Sequence, residues 1–163
     1  MITPDGHTLI VGETSKSQFT AFDIDVNTGL LSDQRVWASL PGVNPDGCCM
    51  DAAGCMWVAS PTGHGINAEE AEVSKFIRFA QGGQVLEEIL PLEGNNAIAC
   101  CIGTPRFSSV RSGPPDGHTL FLLESKYMAG SQPEPDKALI RTVQVEVGGA
   151  QDPDNPRYCA GYS

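Results

Sequence analysis

Short apolar runs separated by turn residues dominate the pattern of hydrophobic and polar positions along the chain. Thr3–Glu13 reads as a Pro-Asp-Gly turn followed by an unbroken apolar run, and Pro114–Ser125 repeats it almost residue for residue. Asp51–Ser60 is a third copy with one residue deleted. Each copy predicts a tight turn and then a strand, because Pro presets φ, Asp bonds its own backbone and Gly accepts positive φ. Since the runs do not alternate, they predict strands that are covered on both faces.

Further strand-like runs surround these copies. A second, more alternating run follows each copy, and these runs are Gln18–Ile24, Val73–Phe79 and Ala138–Val145. Outer runs follow two of them, Arg35–Leu40 and Val85–Leu90. Apolar runs also precede two of the copies, Asp46–Asp51 and Ala97–Ile102. The unit is therefore four antiparallel strands that recur at roughly 50 residues, which is the period of a propeller blade.

The strand count predicts an all-β fold, a partial β-propeller of about three four-stranded antiparallel blades over residues 1–147. The middle blade is complete, the first has three strands and an innermost one that runs into Met1, and the last lacks a clear fourth. Three blades are fewer than the roughly four of a closed ring. Either part of the ring is absent, which we favour, or two copies associate. Residues 148–163 are turn-rich and predict a frayed tail.

The acidic composition excludes some classes of binding partner. Twenty Asp and Glu against ten Lys and Arg give a net charge of −10, which repels phosphate backbones and anionic lipid, so we expect no nucleic-acid partner. No apolar run approaches the roughly 20 residues of a membrane span. The chain does not open with a basic segment and an apolar one, so we expect a cytoplasmic protein without a membrane partner. Six cysteines form no C-x-x-C pair and predict buried thiols.

An ordered set of motifs resembles the gluconolactonase/regucalcin (senescence marker protein) family. The motifs are Phe22–Asp25, Arg35–Ala38, Pro45–Gly47, Asp51–Ala59, Phe76–Phe79, Ala99–Gly103 and Thr119–Leu122. The resemblance runs over about residues 1–147. It implies a six-bladed parent of roughly twice this length, a metal-dependent lactone hydrolase, of which this chain is the C-terminal half, truncated at its N-terminus.

The resemblance implies that Asp46 is both the catalytic base and a metal ligand in the central channel of the parent. The ion would be calcium, zinc, magnesium or manganese, and the substrate a small-molecule lactone. Asp46 begins a predicted innermost strand, and a carboxylate there can bind a hard cation and accept a proton from water. The metal would polarise the lactone carbonyl. The alternative is that Asp46 only shapes a turn, as Asp5 and Asp116 do.

Other residues of the family site are missing or less certain. The Asn-Gly pair that precedes the position of Thr3 in the family is absent here, and so is the Glu ligand. One carboxylate cannot replace the six or more oxygen ligands of calcium, so we expect this chain to be inactive as it stands. Candidate residues for substrate contact or support of the metal are Asn44, Ser60, His64 and Asn96. His64 can equally be an exposed loop residue, and Asn44 a turn residue.

Two other functions remain open from the sequence. The chain can be a non-catalytic propeller module for binding or scaffolding, in which the Pro-Asp-Gly units are only turns. It can also derive from strictosidine-synthase-like or arylesterase-like propellers, which place different residues at the channel. Open blade edges predict self-association in each case.

Overall fold

The computed structural model describes residues 1–62, 73–103, 117–126 and 138–150. The strands in these ranges are β1 (Thr8–Glu13), β2 (Gln18–Ile24), β3 (Leu31–Ser39), β4 (Cys48–Met50), β5 (Met56–Ser60), β6 (Lys75–Phe79), β7 (Val85–Ile89), β8 (Asn96–Gly103), β9 (Thr119–Ser125) and β10 (Ala138–Gln144). A 3₁₀ turn, Thr14–Lys16, follows β1. The predicted all-β class is confirmed. No helix among the described residues has the length and apolarity that crossing a membrane requires.

The strands form three antiparallel sheets with the orders β1-β2-β3, β4-β5-β6-β7 and β10-β9-β8. These are the predicted blades, with four strands in the middle one and three in each of the others. At the first sheet, the amino group of Met1 donates to the Ile10 carbonyl at 2.8 Å, and the Ile10 N–H donates back to the Met1 carbonyl at 2.7 Å. The start of the chain therefore lies beside β1, where the sequence predicts an innermost strand.

The predicted turn chemistry recurs in the three copies. Their glycines all have positive φ, namely 76° at Gly6, 76° at Gly54 and 54° at Gly117. The Asp5 carboxylate accepts the His7 N–H at 3.1 Å, and the Asp51 carboxylate accepts the N–H groups of Ala53 and Cys55 at 2.9 Å. Short carboxylates close these turns as expected for Asx motifs. Asp116 lies outside the described residues.

The middle sheet is covered on both faces. All five residues of β5 are buried. Met56 and Val58 pack in one apolar cluster with residues of the first sheet, and Trp57 and Ala59 in a second cluster with residues of the third sheet. Side chains alternate across a strand, so an unbroken apolar run serves two interfaces at once.

The two outer sheets are covered on one face only. Ile10 on β1 is buried, whereas the next residue, Val11, is 38% exposed. Leu122 on β9 is buried, whereas Phe121 is partly exposed. The prediction of two covered faces is confirmed for β5 and wrong for β1 and β9, because in the described part of the chain each outer sheet has a neighbouring sheet on one side only.

The predicted tail begins in ordered contacts. The Ala150 N–H donates to the Met50 carbonyl at 3.0 Å, and the Ala52 N–H donates to the Gly148 carbonyl at 2.7 Å. Residues 151–163 lie outside the described residues, so fraying of the tail stays a prediction.

Candidate functional site

Asp46 lies directly before β4, the innermost strand of the four-stranded sheet. Its backbone N–H donates to the Ala59 carbonyl of β5 at 3.0 Å, and the residue is exposed. An accessible carboxylate thus lies on a backbone that the sheet holds in place. Asp46 is at the inner edge of its blade and not on the outer rim.

The segment around Asp46 contacts all three sheets. The Thr14 hydroxyl, just after β1, donates to the Pro45 carbonyl at 2.8 Å. The Ala59 N–H donates to the Gly47 carbonyl at 2.9 Å, and the Gly47 N–H donates to the Ile98 carbonyl of β8 at 3.2 Å. The turn after β1, the second strand of the middle blade and the innermost strand of the third blade thus converge on residues 45–47.

Gly47 has a different role from the other Pro-Asp-Gly glycines. It is not among the glycines with positive φ. A Cβ at this position would lie 2.4 Å from the Ala99 Cβ and 2.6 Å from the Ala99 Cα. The glycine permits close approach of β4 and β8 and is not required by a left-handed turn. The unit that contains Asp46 is therefore distinct from the turn unit that contains Asp5.

The innermost strands of the second and third blades repeat each other in sequence. Residues 44–50 read Asn-Pro-Asp-Gly-Cys-Cys-Met, and residues 96–102 read Asn-Ala-Ile-Ala-Cys-Cys-Ile. The two strands pair with their neighbours in the same register from Cys48 and Cys100 onwards. At the position of Asp46 the third blade has Ile98. The strand geometry therefore does not demand a carboxylate there, which favours a site role for Asp46.

Asn44 and Ser60 lie together in a buried polar cluster. The Asn44 N–H donates to the Ser60 hydroxyl oxygen at 3.1 Å, and the Ser74 hydroxyl donates to the Ser60 carbonyl at 3.1 Å. The Ser74 oxygen in turn accepts the Ala97 N–H of the third blade at 2.7 Å. Sequence reasoning missed Ser74, because a single serine between two apolar runs carries no signal of a bridge between blades.

Asn96 extends this polar cluster. Its side-chain oxygen accepts both the backbone N–H of Thr62, at 3.1 Å, and the Thr62 hydroxyl, at 2.8 Å. Asn44, Ser60 and Asn96 are all buried. Their role in substrate contact stays a prediction. His64 lies outside the described residues.

The buried Asn44 amide has an unmet bond. Its Nδ2 has no hydrogen-bond partner among the residues that the structure describes. A buried amide that lacks a hydrogen bond lowers the stability of the fold by about 1–3 kcal/mol. Which end of an Asn side-chain amide is oxygen and which is nitrogen is assigned from its hydrogen bonds. This amide lies two residues from Asp46 in the sequence, so it is a second polar group that could form a hydrogen bond with a ligand.

The described residues do not complete a metal site. Nowhere in the ranges that the structure describes do three His, Cys, Asp or Glu side chains come together to hold an ion. Asp46 and an Asn44 amide oxygen would supply two ligands, whereas calcium takes six to eight. A resident divalent ion needs oxygen ligands beyond these.

Glu13 is the other carboxylate near this edge, one residue before Thr14. Its carboxylate pairs with Lys16, and it also accepts from the Thr20 hydroxyl and from the Gln18 amide, the latter at 2.9 Å. These contacts, with Lys16 the largest, lower the pKa of Glu13 to about 2. Glu13 is therefore ionised at neutral pH and unsuited to donate a proton.

The cysteines and histidines add no chemistry to this edge. Burial raises the pKa of the Cys48 thiol to about 11, so it stays protonated at neutral pH. Cys100 is buried as predicted, but Cys101 is exposed, which corrects the prediction for that thiol because it points away from the middle sheet. The backbone carbonyls of His7 and His118 each accept a backbone N–H at 2.8 Å.

The chain is similar to known proteins in sequence and in fold. Residues 1–110 match the family described as SMP-30/Gluconolactonase/LRE-like region. Regucalcin of Xenopus laevis is 30% identical over 109 residues, which cover 65% of this chain and 33% of that protein.

Two solved structures extend the likeness along the chain. A luciferin-regenerating enzyme matches with a TM-score of 0.63 at 18% identity, over 91% of this chain and 45% of the other. A calcium-binding protein, regucalcin from Agrobacterium tumefaciens, matches with a TM-score of 0.61 at 19% identity, with the same coverage. At these identities the likeness concerns the fold alone, and it confirms the partial propeller. The chain spans a third to just under half of the length of these relatives.

Proposed function

Because the chain belongs to the SMP-30/gluconolactonase/LRE-like family, we propose that it supplies Asp46 and its supporting segment to the active site of a lactone hydrolase. The observation that carries the proposal is the place of Asp46. It is an exposed residue in a segment that is hydrogen-bonded to the turn after β1, to β5 and to β8. Ligand sites favour such points, where several elements converge on a few polar groups.

Asp46 has the chemistry of a general base in this reaction. A water oxygen attacks the lactone carbonyl carbon, the ring carbon–oxygen bond breaks, and a hydroxy acid is released. A carboxylate accepts the proton of the attacking water, and such assistance contributes about 10²–10⁴-fold. Hydrogen bonds of Pro45 and Gly47 to neighbouring blades would hold the base in place, which favours a fixed geometry of attack.

We propose that Asp46 is also one oxygen ligand of a divalent ion, calcium, zinc, magnesium or manganese. The relative from Agrobacterium tumefaciens is described as calcium-binding. Here the described residues supply too few ligands, so the others would have to come from elsewhere in a complete ring. We therefore expect the 163-residue chain by itself to hydrolyse no lactone.

The test compares two aspartates that occupy the same tripeptide. If the coding sequence continues upstream in frame, the extended protein should hydrolyse sugar lactones, followed by acid release with a pH indicator. Asp46→Asn should lower kcat at least about 100-fold and weaken calcium binding in a titration. Asp5→Asn, in the turn before β1, should leave both unchanged. Wild-type activity and affinity in Asp46→Asn would eliminate Asp46 as base and ligand, and hydrolysis by the 163-residue chain would overturn the expectation that it is inactive.

A non-catalytic binding module is the second candidate function. The observation in its favour is that the described residues gather no cluster of metal-binding side chains. In this case the extended protein would bind no divalent ion and hydrolyse no lactone, with or without Asp46. Metal binding without hydrolysis would point to a calcium-binding propeller that lacks the reaction.

A further inference from the structure

Within the described residues, no sheet packs on one apolar face of the first sheet. Leu9 and Phe22 are direct cross-strand partners on this face, and Thr20 is the partner of both Val11 and Val36. Val11 is 38% exposed and Val36 is 59% exposed. We call this surface, Leu9, Val11, Phe22 and Val36, the leading face.

At the opposite end of the arc, no described part of the chain packs on the outward face of the third sheet. Cys101 pairs with Phe121 across β8 and β9, and Ile140 pairs with Leu123 across β10 and β9. Ile140 is 69% exposed and Cys101 is also exposed. We call this surface, Cys101, Phe121, Leu123 and Ile140, the trailing face.

Both faces match surfaces that are buried elsewhere in the same molecule. Ile140 pairs with Leu123 as Phe76 pairs with Ala59 in the middle sheet, and there Phe76 is fully buried against the third sheet. In the Pro-Asp-Gly repeat, Val11 corresponds to Leu122, which is fully buried against the middle sheet. The trailing face therefore has the pattern of the surface that receives a following blade. The leading face has the pattern of the surface that packs on a preceding blade.

We propose that a second copy of this chain covers both faces. The trailing face of one copy packs on the leading face of the other at two identical junctions, and the two arcs close one ring. At each junction, the two sheets pack as the first sheet packs on the second, and the second on the third, within one chain. The arc covers 45% of each of two structural neighbours, so two copies contain about as much fold as one such chain. Contacts between unlike faces close a two-membered ring around a two-fold axis.

The net charge of the chain makes this association depend on ionic strength. Each copy carries a net charge of −10, so two copies repel at low ionic strength. Burial of the apolar faces opposes this repulsion, and salt screens it. The dimer should therefore be favoured by salt, unlike an assembly that charge attraction drives.

The experiment measures the mass of the 163-residue chain by size-exclusion chromatography with light scattering at 0.15 M salt. We expect twice the 17.3 kDa of one chain. Val11→Glu and Ile140→Lys should each halve the mass, because each variant buries an unpaired charge against an apolar face at both junctions. An equimolar mixture of the two should restore the double mass, since one junction is then native and the other pairs Glu with Lys. Val85→Glu, on exposed β7 at the rim, is the matched control and should stay dimeric.

The restored mixture also shows that both variants fold. A wild-type chain that stays at 17.3 kDa at high concentration would overturn the proposal. So would a dimer that Val11→Glu and Ile140→Lys leave intact, or open-ended oligomers in place of a closed pair. No activity is measured, so the outcome is independent of the proposed function.

Discussion

At the scale of single residues, neighbouring positions 46 and 47 have separate roles. Asp46 carries an accessible carboxylate, whereas Gly47 carries no side chain because β8 occupies that space. The missing Cβ lets the two inner strands approach, and this approach fixes where the carboxylate lies. Packing at Gly47 is therefore a condition for chemistry at Asp46.

We predict that Gly47→Ala destabilises the protein. The new Cβ would meet the Ala99 Cβ and Cα at 2.4 and 2.6 Å, so backbone must move. Overpacking of this kind costs about 1–3 kcal/mol in the free energy of unfolding, which urea titration measures. Gly103→Ala is the control, because among the described residues its Cβ would meet only Phe121, at 3.7 Å. Equal stability of the two variants would contradict the role given to Gly47.

Sequence reasoning at this scale reached the turns and the candidate base but not their supports. The turn glycines follow from local rules, since positive φ is a property of a few adjacent residues. The role of Gly47 depends on Ala99, and that of Ser74 on Ala97, and both partners are distant in sequence. Asp46 was singled out by resemblance, because Asp-Gly by itself predicts a turn as readily as a site.

At the scale of strands, the alternating runs predicted β2, β6 and β10 with close bounds. The pattern did not predict the charged side chains that are buried in the sheets. Asp51 and Glu124 are fully buried, although both are acidic. Arg78 on β6 pairs with Asp51 at 2.7 Å, and Arg141 on β10 pairs with Glu124 at 2.8 Å. A charge in a sequence predicts exposure unless its partner is known, and both partners lie on other strands.

We predict that Arg78→Met destabilises the middle sheet strongly. It would leave the Asp51 carboxylate buried without its cation, which costs about 3–5 kcal/mol. Lys75→Met on the same strand removes the pair with Glu88, whose members are 30% and 43% exposed, and should cost less than about 1 kcal/mol. Chemical denaturation of both variants measures the difference. A cost for Arg78→Met no larger than that for Lys75→Met would show that the buried pair is dispensable.

At the scale of the whole molecule, the unbroken apolar runs predicted more covered sheet faces than three sheets can cover by packing on one another. The same pattern on β1, β5 and β9 predicts a sheet on each side, and in the ranges that the structure describes only β5 has both. A strand pattern states that a face is to be covered but not which polypeptide covers it. The sequence could therefore predict the blades and their order, and not the boundary of the assembly.

We predict that this difference in coverage appears in amide hydrogen exchange. β5 and β9 occupy equivalent places, each hydrogen-bonded to a strand on both sides, but of the two only β5 has described residues packed on both faces. In the Ile140→Lys variant, amides of β9 should therefore exchange at least about tenfold faster than those of β5, a difference of ~1.4 kcal/mol in local opening. In wild type at high concentration, a second copy would cover β9 and narrow the gap. Equal rates in the two strands of the variant would mean that hydrogen bonding within each sheet, and not packing between sheets, sets local stability in this arc.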